Sequence, residues 1–210
     1  MKKLPIGIQS FYEIRNENYI YVDKTSYIYE LVNSGKYFFL SRPRRFGKSL
    51  LVDTIKCLYE GKKELFEGLY IYDKWDWERV KPVIHFNLSL LDSSDKQYFL
   101  QSFNTYLQKE FIYYGIQEHY NSSASIKQNL TTLIIEISKK SNDKVVILVD
   151  EYDKPIIDNI DKKEYCKEIR EILRGFYEVF KAMDAYIQFG FLTGVSKFSK
   201  VSIFSGLNNL

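Results

Sequence analysis

Histidine and cysteine are nearly missing from this chain, two of each in 210 residues. Cys57 and Cys166 are too few and too far apart for a disulfide framework or a four-ligand zinc site, so a reducing cytoplasm is the simplest compartment. Cys57 lies in an apolar helical pattern and is assigned to the core. His85 stands alone among apolar neighbours, which suits a hydrogen-bonded structural residue, and His119 sits in a polar loop with no paired partner. Zinc chemistry and a histidine-based hydrolase are therefore poor readings. No apolar run is long enough to span a membrane, and Met1-Lys2-Lys3-Leu4-Pro5 is not followed by an apolar core of signal-peptide length. One-sided charge is lacking too: 30 Lys+Arg against 27 Asp+Glu leave +3, which by itself argues neither for nor against nucleic acid. What remains is 45% hydrophobic and 17% aromatic content, enough to bury the core of one ordinary domain.

A further absence marks the most informative stretch. Leu40-Ser41-Arg42-Pro43-Arg44-Arg45-Phe46-Gly47-Lys48-Ser49-Leu50 follows the apolar run Tyr37-Phe38-Phe39-Leu40 and opens a helical pattern over 49–59. Gly47-Lys48-Ser49 supply the second half of the Walker phosphate loop, G-x-x-x-x-G-K-[ST], in the strand-to-helix context that the motif needs. Its first glycine is missing, and Arg42 stands there. An arginine is penalised wherever the loop needs positive φ, but Pro43 holds Arg42 extended and gives the strand a defined exit without glycine. Gly47 lets the backbone close on a polyphosphate, and the first N–H groups of the helix point at the anion. Lys48 would bridge the outer phosphates and Ser49 would offer its hydroxyl to Mg²⁺. Arg44 and Arg45 add charge beside the site, or sit in solvent as a basic turn.

The rest of the chain alternates strand and helix patterns. Tyr19-Ile20-Tyr21-Val22 reads as a short strand, and Asp23-Lys24-Thr25-Ser26 as the start of a helix that Ser34-Gly35 stops. Asp23 and Thr25 cap that helix or else flank a nucleotide pocket. Residues 65–77 form an irregular connection with a short helical turn, and 83–89 a core strand behind Pro82. Helices with apolar faces follow over 94–114 and 126–139, separated by a polar connection at 115–125. Val145-Val146-Ile147-Leu148-Val149 is unbroken and β-branched, as in a strand covered on both faces, and it delivers Asp150-Glu151 at its end. That is a Walker B pattern, with Asp150 assigned to Mg²⁺ and Glu151 to polarising the attacking water. Asp153-Lys154-Pro155 turns the chain into a helix over 162–182, where Arg170 and Arg174 are spaced i, i+4 and read as a solvated face or an arginine finger for a neighbouring subunit. A last strand over 186–192 ends in Thr193-Gly194-Val195-Ser196, with Thr193 first and Ser196 second as the group sensing the γ-phosphate.

Taken together, these segments resemble the AAA-ATPase-like family of bacterial and archaeal proteins from end to end. The residues that carry the likeness are Ile6-Gly7-Ile8-Gln9, Tyr21-Val22-Asp23-Lys24-Thr25, the loop from Ser41 to Ser49, Asp150-Glu151-Tyr152-Asp153-Lys154-Pro155, Thr193-Gly194-Val195 and the closing Phe204-Ser205-Gly206-Leu207-Asn208-Asn209-Leu210. The family itself carries arginine at the first-glycine position, so Arg42 matches it. The resemblance implies ATP with Mg²⁺ at Lys48, Ser49 and Asp150, and a nuclease-like domain of the PD-(D/E)XK type as the usual companion.

The expected fold is α/β: a three-layer P-loop domain over 1–210 with a mainly parallel sheet of the additional-strand class, truncated at its C-terminal end or naturally short. Its strands, about 37–40, 83–89, 144–149 and 186–192, are joined by right-handed crossovers, and Thr193 falls between Lys48 and Asp150. Expected partners are the nucleotide, a nuclease-like C-terminal domain or partner, nucleic acid and further copies of the chain, with no membrane. The expected activity is slow or absent ATP hydrolysis in isolation. The rival expectation is a non-hydrolysing module in which Arg42 to Lys48 grip nucleic-acid phosphates; the acidic pair Asp150-Glu151 counts against it, because it would repel a polyanion unless a metal intervened.

Overall fold

The computed structural model describes residues 2–196. Its chain runs through α1 (Phe11–Asn16), α2 (Thr25–Ser34), β1 (Tyr37–Ser41), α3 (Lys48–Tyr59), β2 (Val83–Asn87), α4 (Lys96–Tyr113), α5 (Ile126–Ser141), β3 (Val145–Asp150), α6 (Lys154–Ile157), α7 (Lys163–Ala182) and β4 (Ile187–Gly194). The strands form one sheet in the order β1-β4-β3-β2, and every pairing is parallel. β4 thus lies between β1 and β3, the place that the resemblance implied for the last strand. The closing motif from Phe204 to Leu210 lies outside the described residues.

Two apolar clusters cover the two faces of the sheet. One joins Val52, Ile55 and Leu58 of α3 to Val146 and Leu148 of β3 and Phe189 and Phe191 of β4. The other joins α4, α5 and α7 to Ile84, Phe86, Ile147, Val149 and Leu192. Alternate residues of β3 therefore feed opposite cores, and all six are buried, which is why that strand has no polar interruption before Asp150. In the second core Phe176 packs edge-on to Phe86 at 5.1 Å and against Phe103 at the same distance, so the aromatic faces of α4 and α7 meet on β2. Cys57 and Cys166 are both buried and free.

β2 is an edge strand, and its open side is closed by side chains. The Tyr106 hydroxyl donates to the His85 carbonyl at 2.6 Å and accepts from the Asn87 N–H at 3.4 Å, standing in for the peptide group of a missing neighbour. The Tyr114 hydroxyl donates to the Val83 carbonyl at 2.8 Å. Between them on α4 sits Glu110, whose carboxyl burial pushes up to about 7, with Lys56 opposing the shift.

Several sequence expectations change here. The residues 19–22 form no strand: Ile20 makes one backbone bond, to the Lys3 carbonyl, Val22 is exposed, and only Tyr21 packs inward, edge-on to Phe11. A hydrophobic run without a neighbouring strand to complete a ladder stays extended but unpaired. β2 ends at Asn87 rather than 89, because the Asn87 side chain accepts from Ser89 N and turns the chain into a short 3₁₀ segment, Leu88–Leu90. Residues 154–157 form a helical turn, α6, with Pro155 in its first turn, not a plain reversal. His85 is not hydrogen-bonded through its side chain: Nε2 is buried without a partner, and burial, with the nearby Lys56 cation, holds its pKa below the usual value. His119 does face partners, Glu118 at 3.4 Å and Glu136 at 3.7 Å.

Candidate functional site

The parallel strands all deliver their carboxyl ends to one edge of the sheet, and the basic loop and the acidic pair meet there. The loop leaves β1 with the Arg42 N–H bonded to the Gly194 carbonyl at 3.1 Å, which extends the β1–β4 ladder by one residue. Positive φ falls on Arg45 (67°) and Gly47 (73°), not on Arg42. The replacement of the first glycine therefore brings no backbone strain, and the cost is carried by Arg45 instead. Arg42, Arg44 and Arg45 are exposed, and Phe46 stands 66% exposed at the tip.

Gly47 is the N-cap of α3 in the left-handed region, and no side chain caps this helix start. The starts of α2, α6 and α7 also lack a side-chain cap, whereas Ser10 caps α1, Asp95 caps α4 and Ser125 caps α5 in a full capping box. The first N–H groups of α3 therefore have no side-chain acceptor, and they stand beside Lys48 at the carboxyl ends of the strands. Lys48, the first residue of the helix, is only 4% exposed; its Nζ donates to the Pro43 carbonyl at 3.1 Å and stands 4.0 Å from Glu151 Oε1. A lysine ammonium held this deep, on a loop carbonyl and opposite a carboxylate, is kept at the mouth of the strands instead of trailing into solvent. Ser49 follows on the first turn, half-buried.

Across from it, Asp150 is 1% exposed and accepts hydrogen bonds from the Thr193 hydroxyl and from Glu151 N, the latter at 3.0 Å. Glu151 takes a left-handed backbone, φ 54°, a strained conformation for a non-glycine residue that turns it out of the strand towards Lys48. Burial raises its pKa; Lys48 opposes the shift, Asp150 and Asp153 reinforce it, and Arg44 opposes it. The register explains the convergence. Leu40 pairs with Thr193, Val149 with Leu192 and Asn87 with Asp150, so Thr193, Asp150 and Asn87 lie in one row. They share the alternation of Leu148 and Phe191, which pack under α3.

Of the sequence-derived site residues, Lys48, Asp150, Glu151 and Thr193 are brought together by these contacts, with Gly47 and Ser49 beside them on the start of α3. Arg42, Arg44, Arg45 and Phe46 surround the loop without buried partners among the described residues. Asp23 and Thr25 do not belong to the cluster by any contact: Asp23 accepts from Tyr70 N and Thr25 N at 2.7 and 2.8 Å, and Thr25 Oγ1 accepts from Ile71 N, pinning the 65–77 connection. Sequence reasoning missed Asn87, Tyr152 and Asp153. Asn87 ends an apolar run as Asp150 does, and that parallel was the available signal. Asp153, fully buried, reads in the sequence as part of a turn and of the motif from Asp150 to Pro155, with no role of its own assigned.

A groove of about 650 Å³ lies elsewhere, along α4 between Leu90, Tyr98 and Glu110. A phosphate site needs no such cavity, since it wraps its ligand in main-chain N–H groups. Among the described residues no three His, Cys, Asp or Glu side chains are grouped to hold a metal ion, and no helix is long and apolar enough to cross a membrane.

Fold and site together define an α/β protein with an all-parallel sheet and a candidate anion site at the carboxyl ends of its strands. The chain belongs to the Predicted AAA-ATPase family, whose sequence profile matches residues 5–204. It is also similar to an uncharacterised protein encoded in the vnfD 5′ region of Azotobacter chroococcum mcd 1, at 44% identity over 213 residues, covering 100% of this chain and 40% of that protein. The chain therefore spans about 40% of the length of that relative. No solved structure matches it significantly.

Proposed function

We propose that this chain is a Mg²⁺-dependent ATP-binding domain of the P-loop type, whose nucleotide state is passed to a partner domain. The observation that carries the reading is the buried Lys48 at the start of α3, behind Gly47 in the left-handed region and 4.0 Å from the carboxylate that follows β3. The residues fit the group. A Mg²⁺ ion takes few protein ligands, which agrees with the lack of any multi-carboxylate cluster among the described residues and leaves Ser49 and Asp150 as its holders. When bound, the ion supplies charge neutralisation at the outer phosphates.

The chain's own groups then have separate tasks. The N–H groups at the start of α3 hold phosphate oxygens, and Lys48 leaves the Pro43 carbonyl for the outer phosphates. Arg42, Arg44 and Arg45, with Phe46, line the approach. Glu151, its carboxyl made more basic by burial, polarises the attacking water, and Thr193 fixes the Asp150 carboxylate through the hydrogen bond its hydroxyl donates. ATP hydrolysis at this site is the activity these roles add up to.

Thermal unfolding tests the proposal. Millimolar Mg-ATP should raise the midpoint by several degrees through mass action, and Lys48→Ala should abolish the shift. The exposed arginines favour a second reading, a binding module for nucleic-acid phosphates. A shift with plain DNA and none with Mg-ATP would replace the first reading with the second.

A further inference from the structure

The end of β4 is gripped from both sides. On one side the phosphate loop holds it: Arg42 N donates to the Gly194 carbonyl, and the Ser41 hydroxyl donates to the Val195 carbonyl at 2.9 Å. On the other, the acidic loop holds the same residues. Tyr152 N donates to the Thr193 carbonyl at 2.9 Å, resuming the ladder after the kink at Glu151, and the Tyr152 hydroxyl donates to the Ser196 carbonyl at 2.6 Å.

Asp153 completes this grip. Its Oδ2 accepts from Val195 N at 3.0 Å and from Ser196 N at 2.6 Å, and its side chain is fully buried. No Lys, Arg or His lies within ion-pair distance of it among the described residues. A buried carboxylate satisfied by main-chain N–H groups alone is costly to move, since displacing it strands a charge. Asparagine could accept the same two bonds but would bury its own NH₂ without an acceptor. Gly194 shows how close the fit is: a Cβ there would lie 2.2 Å from the Tyr152 ring and 2.7 Å from Asp153 Oδ1.

We infer that Asp153 is a positioning residue that locks the acidic loop to Val195 and Ser196, so that a ligand moving Glu151 or the phosphate loop necessarily moves the chain leaving β4. The inference rests on the phosphate-site reading for the identity of that ligand, and it names the route by which occupancy reaches whatever follows the sheet. Only Tyr152 separates Asp153 from Glu151, and no flexible side chain intervenes between the Asp153 carboxylate and the amides of Val195 and Ser196.

Hydrogen exchange on the 210-residue chain tests it, with nucleotide affinity measured in parallel using a fluorescent ATP analogue and Mg²⁺. In the native chain the Val195 and Ser196 amides should exchange slowly, and Mg-ATP should change their rate. In Asp153→Asn the affinity should stay within about threefold, while both amides exchange about tenfold faster and no longer respond to Mg-ATP, as expected when the acceptor loses its charge and an NH₂ is buried unpaired. Tyr152→Phe, which removes a single hydroxyl and keeps the ring over Gly194, should show a smaller change of the same sign. An unaltered nucleotide response in Asp153→Asn overturns the inference, and so does loss of nucleotide binding in a folded variant, which would make Asp153 part of the binding site. If the native chain binds no Mg-ATP, the phosphate-site reading fails. The clamp is then judged on the free protein, where equal exchange rates in native and Asp153→Asn chains sink it and faster exchange in the variant upholds it.

Discussion

Glu151 concentrates the local physics of the site. It sits at φ 54° one residue beyond a fully buried strand, beside a buried aspartate and opposite a buried lysine. Burial favours its neutral form, so its proton leaves at higher pH than from an ordinary glutamate. Water activation needs the ionised carboxylate. Turnover should therefore be lost as pH falls through this raised value, with the acid limb of the profile lying above the usual carboxylate range near 4.5. Glu151→Gln should keep Mg-ATP affinity within a few-fold, lose turnover by two orders of magnitude or about that, and abolish the acid limb. A steady-state pH profile of phosphate release, with binding measured separately, checks this; loss of binding in the variant would reassign Glu151 as a ligand holder.

Among the elements, β2 shows how a sheet edge is finished without another strand. Tyr106 pairs with both the His85 carbonyl and the Asn87 N–H, and Tyr114 pairs with the Val83 carbonyl. Tyr106→Phe strips two partly buried main-chain groups of a partner and should cost about 1–3 kcal/mol, whereas Tyr114→Phe strips one and should cost about half as much. Urea denaturation reads both, and the double variant should also aggregate more readily on warming, because an unpaired edge invites another strand. Equal stabilities would show that water replaces the hydroxyls without loss. At this scale the sequence was most readable where one signal dominated. β3 announced itself through five consecutive apolar residues ending in acids, α5 and α7 through apolar faces at three and four, and the turn from β1 into α3 through the run from Arg42 to Ser49. The place of β4 between β1 and β3 agrees with what the resemblance implied, whereas the edge position of β2 was not anticipated. What could not be read was pairing. The stretch at 19–22 has a strand's composition but no neighbour, and α1 is six residues long, too short for a period to stand out although Ser10 and Glu13 mark its start. Asn87 belongs to the row of Asp150 and Thr193 only through a register set by long-range packing. Asp153 looked like any turn residue because its partners, Val195 and Ser196, lie more than forty positions away.

For the molecule as a whole, the decisive fact is which layer carries which charge. α3 covers one face of the sheet, while α7 packs in the layer on the opposite face, so Arg170 and Arg174, exposed on α7, are not held against the candidate site. They form a solvated face or are offered to a neighbouring copy. Arg42, Arg44 and Arg45 lie on an exposed loop, and Lys48 is engaged with the Pro43 carbonyl opposite Glu151. Phosphoryl transfer depends on positive charge fixed where the transition state needs it, a contribution of about three to five orders of magnitude in rate where a finger arginine supplies it. Binding, by contrast, needs only the N–H groups at the start of α3 and the loop charges. The isolated chain should therefore bind Mg-ATP and turn it over slowly or not at all, gaining rate when a second copy, a partner or the remainder of a longer protein orders these charges and excludes water. Phosphate release measured over a hundredfold range of chain concentration, with and without DNA, separates the cases. A rate per chain that rises with concentration points to a finger supplied between copies, and Arg170→Ala or Arg174→Ala should then remove the rise. Turnover of about one per second or faster, independent of concentration, would show that the site is already complete in a single chain.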